Sequence, residues 1–117
     1  MNGHEVATLE KQSIVVLCTC PDQGVAELIA ETLVVERLAA CVNILPEITS
    51  IYRWEGRQQH DRELLLVIKT TEALYAELQE RIRALHPYQI AEVIALPIVK
   101  GAADYLDWIH ASVGEPS

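Results

Sequence analysis

The sequence predicts an α+β domain in which two β-α-β units share one four-stranded antiparallel sheet, with an extra helix at the C-terminus. Three observations predict it. Ser13 to Cys20 and Leu64 to Ile68 are apolar on both alternating faces, the pattern of strands with neighbours on either side and cover above and below. Segments beginning at Pro21 and at Glu72 carry apolar residues at helical spacing instead. Strand and helix patterns follow one another in the order βαββαβ, which as two split units places both long helices on one sheet face, the ferredoxin-like arrangement.

Ser13 to Cys20 reads as the first, central strand. Pro21 and Asp22 open a helix, because proline loses nothing in a first helical turn and a carboxylate suits the positive end of the helix dipole. That helix is expected to run to about Ala39. Val25, Ile29, Leu33 and Val34 form its stripe, and Leu28, Val35 and Leu38 widen it into a heavily covered helix. Cys41 to Trp54 returns to strand, with Ile48, Tyr52 and Trp54 on one side and Thr49, Ile51 and Arg53 on the other. Pro46 cannot donate to a ladder and marks an edge or a bulge. Glu55 and Gly56 form the turn, and Gln58 to Thr70 is the return strand. Thr70 or Thr71 caps the next helix, Glu72 to about His86, whose Leu74, Leu78, Ile82 and Leu85 share one face; Pro87 stops it. Ile90 to Leu96 is the fourth strand, and a short helix begins near Asp104.

With 117 residues, half of them apolar and 22% charged, the chain has the composition of one globular domain over residues 13–113. Residues 1–12 read as a flexible N-terminus. The formal net charge of −8 opposes phosphate backbones and anionic lipid, so neither nucleic acid nor a membrane is expected as a partner. No apolar run approaches the ~20 residues of a membrane span, and the first dozen residues lack the form of a secretory signal, so a cytoplasmic location is expected. Three cysteines, an odd number, are expected to stay reduced. A ferredoxin-like sheet has helices on one face only, whereas these strands are apolar on both. A second copy of the chain is the economical cover, with the long hairpin around Gly56 as the arm that reaches it.

Chemistry-bearing residues are few. Cys18 and Cys20 lie in the first strand, on one face; Cys41 starts the second, and His86 precedes Pro87. Thiolate and imidazole suit copper and zinc, yet buried free cysteine is also an ordinary small core residue, and a histidine at a helix C-terminus also caps carbonyls. Glu63 and Glu92 are isolated acids in strands. No nucleophile-and-base motif, phosphate loop or H-E-x-x-H occurs, so no enzymatic activity is expected. Tyr52, Trp54, Tyr88, Tyr105 and Trp108 suit either a ligand pocket or, in a chain without phenylalanine, core and interface packing.

Five ordered blocks, VVLCTCPD (Val15 to Asp22), ERLAACVNILP (Glu36 to Pro46), SIYRWEG (Ser50 to Gly56), LLLVIKT (Leu64 to Thr70) and HPYQIAEVIALPI (His86 to Ile98), together resemble the CutA divalent-cation tolerance family. The resemblance runs from about Ser13 to Val113. It implies a ferredoxin-like homotrimer in the cytoplasm, connected with tolerance to copper and other divalent metals. It also implies an architecture similar to that of PII signalling proteins, which sense small molecules at clefts between subunits. The implied copper ligands are Cys18 and His86, with Cys41 at the family's second cysteine. Leu85 stands where some members have a second histidine and Ala91 where proline is common, and Cys20 offers a compensating donor. Tyr88, Glu63, Trp54 and Lys69 are the candidates for a small-molecule cleft, and a ligand-free trimeric scaffold is a further alternative.

Overall fold

The computed structural model describes residues 11–116. The elements are β1 (Ser13–Cys20), α1 (Gln23–Val35), β2 (Cys41–Trp54), β3 (Arg57–Thr71), a 3-10 turn (Glu72–Leu74), α2 (Tyr75–Leu85), β4 (Ile94–Pro97) and α3 (Ala103–Ser112). The strands form one antiparallel sheet in the order β2-β3-β1-β4, the ferredoxin-like topology. Of the expected flexible N-terminus, residues 1–10 lie outside the described residues. Gln12 is held: its side-chain amide donates to the Ser13 and Ile98 carbonyls, each at 2.9 Å, and its own carbonyl accepts from the Glu72 N–H at 2.8 Å.

Asp22 caps α1, its carboxylate accepting from the Val25 N–H at 2.9 Å. The helix stops at Val35, four residues before the expected end. Arg37 takes a φ of 59°, and the N–H groups of Leu38 and Ala39 both turn back to the Leu33 carbonyl, at 2.9 and 3.1 Å. Such a left-handed reversal closes helices even where the apolar pattern continues, as it does here through Leu38 and Ala39. Nor is α1 heavily covered: Ala26, Ile29, Ala30 and Leu33 are buried, but Leu28, Val34 and Val35 are exposed. Neither threonine caps α2. Thr70 instead donates its hydroxyl to the Leu38 carbonyl at 2.7 Å, and Thr71 makes no side-chain cap bond. The fourth strand is shorter than expected, because residues before Ile94 leave the sheet; Tyr75 donates its hydroxyl to the Val93 carbonyl at 3.2 Å there.

Strand register assigns every side chain to a face. Ile14, Val16, Cys18 and Cys20 of β1 stand opposite Thr70, Ile68, Leu66 and Leu64 of β3, and this row packs under α1 and α2 against Ile29, Leu33, Leu78 and Ile82. Each fully buried leucine or isoleucine there contributes ~1.5–3 kcal/mol of hydrophobic stabilisation. The alternate row, including Val15, Leu17, Leu65 and Val67, faces away from α1 and α2 and is only half buried, while its Ile94 and Leu96 on β4 are 50% and 52% exposed.

A bulge at Pro46 and Glu47 alters β2. Leu45 pairs with Leu65 but Ile48 pairs with Glu63, so β2 advances one residue more than β3. Glu47 takes a φ of 53° to do so. Beyond the bulge the even-numbered Ile48, Ser50, Tyr52 and Trp54 therefore join the open face that Cys41, Asn43 and Leu45 occupy before it. At the hairpin tip Glu55 and Gly56 have φ of 50° and 75°, the two left-handed residues of a tight two-residue turn.

Candidate metal centre and adjoining cleft

Cys18 and Cys20 share a row because they are two apart in a strand, and both sulfurs lie beneath the sheet, fully buried. His86 reaches them from the end of α2. Proline at position 87 forces the preceding residue out of helix, and His86 is accordingly extended, at φ −80° and ψ 136°. Its ring lies at the end of β1, where Nε2 is 2.7 Å from the Thr19 carbonyl oxygen. One donor atom from each of Cys18, Cys20 and His86 falls within 4.8 Å of the others. Ligands ~2.0–2.3 Å from one ion are at most ~4.6 Å apart, so the three fit a common ion with little contraction.

The hydrogen bonds fix the state of this cluster. A carbonyl only accepts, so Nε2 carries the proton; the Tyr88 N–H then donates to Nδ1 at 3.2 Å. The imidazole is neutral and its lone pair is engaged. The Cys18 thiol is pushed up by its hydrogen bond to the Cys20 sulfur and by burial, and the negative charges of Glu92 and Glu63 add to this. Cys20 is lowered by the same hydrogen bond, against the opposing effect of burial. Cys20 therefore ionises first and Cys18 keeps its proton.

The structure does not bring Cys41 to this cluster. Its partner across the ladder is Lys69, whose partner is Val15, so Cys41 belongs to the open face, opposite Cys18. There the Lys69 ammonium donates to the Cys41 sulfur at 3.8 Å and also to the Asn43 side chain. Tyr105 of α3 packs beside Cys41, and burial followed by this thiol raises the phenol's pKa.

A cleft of about 610 Å³ opens on that same face at the other end of β1, between the root of the hairpin and the Tyr88 to Glu92 segment. Trp54, Tyr52, Asp61, Glu63, Tyr88 and Glu92 are among its walls. Tyr88 donates its hydroxyl to Glu63 Oε2 at 2.8 Å, and Tyr52 donates to Asp61. Of the four residues expected here, Tyr88, Glu63 and Trp54 line the cleft and Lys69 does not. Asp61 was not among the residues expected from sequence; the signal for it is its place two residues from Glu63 in the same strand, hence on the same face. Tyr88 connects the cleft to the cluster, its ring 4.7 Å from that of His86.

A family model described as CutA1 divalent ion tolerance protein matches residues 14–112. The chain belongs to the CutA1 family. It is 55% identical over 100 residues to the divalent-cation tolerance protein CutA of Thermus thermophilus, covering 86% of this chain and 97% of that one. It is 52% identical over 92 residues to the mouse protein CutA, covering 79% of this chain but only 52% of that relative, about half its length. The solved structure of the Thermus thermophilus divalent cation tolerance protein Cut A1 has a TM-score of 0.86 to this one, at 54% identity, covering 87% of this chain and 99% of that one. Membership in the CutA1 family thus agrees with the ferredoxin-like fold and with divalent-cation tolerance as the family's theme.

Proposed function

We propose that this CutA1-family protein is a cytoplasmic homotrimer that binds copper or a related divalent metal through Cys18, Cys20 and His86, without catalytic turnover. The observation that carries the reading is the convergence of two thiols and one imidazole within 4.8 Å. Two sulfurs make the set soft, which favours Cu(I) in a reducing compartment, and the three free cysteines suit such a compartment. The metal supplies coordination only. Both thiols lose their protons on binding, so affinity falls as pH falls, and His86 would supply a ring nitrogen in exchange for one of its backbone hydrogen bonds. Cys41, on the other sheet face, takes no part. The half-covered apolar row of the open face supports the homotrimer, since burying it needs other chains.

Titration of the reduced protein with Cu(I) against a competing chelator tests the site. One ion per chain is expected. Cys18→Ala and Cys20→Ala should each abolish competitive binding, His86→Ala should weaken it, and Cys41→Ala should leave it unchanged. Unaltered binding in both the Cys18 and Cys20 variants removes the site.

A second reading is favoured by the cleft: a PII-like module that holds a small molecule between Trp54, Tyr88 and Glu63. Its volume, about 610 Å³, is in the range of small-ligand sites.

A further inference from the structure

We infer that the cleft at the hairpin root takes a small organic cation, a protonated or quaternary amine, held by Glu63 against the faces of Trp54, Tyr52 and Tyr88. This rests on the small-molecule reading and gives it a chemical class. Asp61, Glu63 and Glu92 all line the cleft, and no lysine or arginine is among the described residues lining it. A nucleotide or a dicarboxylate entering it meets three charges of its own sign, which opposes binding.

Acidity alone specifies nothing, because a solvated acidic surface has the same sign. Glu63 differs from such a surface: it is only 6% exposed. Its Oε2 accepts from the Tyr88 hydroxyl at 2.8 Å. A carboxylate largely removed from water attracts a countercharge more strongly than an exposed one does, and this one lines the cleft.

The spacing of the acids separates an organic cation from a metal ion. A hard divalent ion gathers its oxygens at ~2.0–2.6 Å and hence close to one another. Among the described residues, the group of three or more closely set His, Cys, Asp or Glu donors is Cys18, Cys20 and His86, with no cleft carboxylate in it. The three acids therefore do not gather their oxygens round one bare ion, whereas a ligand of several atoms can reach more than one of them. The walls supply the rest. Trp54 is the aromatic side chain that attracts a cation most strongly, and Tyr52 and Tyr88 add two more faces. Both tyrosines donate to carboxylates of the cleft, which holds their rings in place.

Isothermal titration of the full-length protein with choline, tetramethylammonium and putrescine tests this, with ATP and magnesium chloride as the anionic and metal arms. At least one of the three amines should bind once per chain, and ATP and magnesium should give no saturable heat. Glu63→Gln should weaken the amine at least tenfold with the melting temperature retained. Should that variant fail to fold, Glu92→Gln and Trp54→Ala, both at exposed positions, should each weaken it measurably. Amine binding that none of these variants alters overturns the inference. ATP binding lost in Trp54→Ala, with no amine bound, overturns the cation but leaves the small-molecule reading standing. No binding of any probe overturns both.

Discussion

His86 engages both ring nitrogens with backbone groups, Nε2–H with Thr19 and Nδ1 with the Tyr88 N–H, so it is a structural clasp between α2 and the end of β1. Its place beside Cys18 was not legible from spacing, since 67 residues separate it from Thr19 and only the fold closes that gap. The shared face of Cys18 and Cys20 was legible, because strand parity alone sets it. Cys41 shows the limit of that rule. Parity orders residues within β2, but which face they share with β1 depends on register through β3. Tyr88 gives a pH prediction at this scale. Burial first, then its bond to Glu63, hold its phenol above the ordinary value of 10.0. A raised folded-state pKa contributes stability that is fully present below pH 10 and is lost as pH climbs past it. The melting temperature should therefore decline above about pH 10, and Tyr88→Phe should make that decline shallower.

At the scale of elements, β1 was readable to the residue because its β-branched, two-faced pattern stops at Pro21. The end of α1 was not readable. Leu38, Ala39 and Ala40 prolong an apolar, helix-compatible run, and the reversal at Arg37 is fixed by tertiary contacts: its guanidinium donates to the Gly114 and Ala111 carbonyls, at 2.7 and 2.9 Å. β4 was overextended for a related reason, as Ile90 to Val93 continue its apolar run but leave the sheet, Ile90 and Glu92 bordering the cleft and Val93 packing against the core. The hairpin turn offers a test. Glu55 holds a φ of 50° without the local side-chain bonding that lets asparagine tolerate it. Glu55→Asn should stabilise the protein by about 0.5 kcal/mol, read as a higher melting temperature. An unchanged or lower melting temperature would show that the carboxylate holds the turn in another way.

The whole molecule is a sheet with α1 and α2 on one face and a half-covered apolar row on the other, with α3 contacting β1 and β3. That imbalance was legible in the amino-acid pattern alone, from strands apolar on both faces. What covers the open face was not, because a strand pattern records that a face is apolar and not what meets it. Light scattering after size exclusion should give three chain masses. Val67→Glu, placing a charge in the half-buried open row, should reduce that to one while helicity is retained. The bulge at Pro46 and Glu47 has the widest reach of any local irregularity. It works as a phase shifter: the alternation of inward and outward side chains enters it in one phase and leaves it in the other. With the extra residue removed, Tyr52 and Trp54 would swing to the helix side, and Thr49, Ile51 and Arg53 would take their places. One backbone residue thus decides whether the hairpin shows aromatic rings or a guanidinium to whatever approaches the open face.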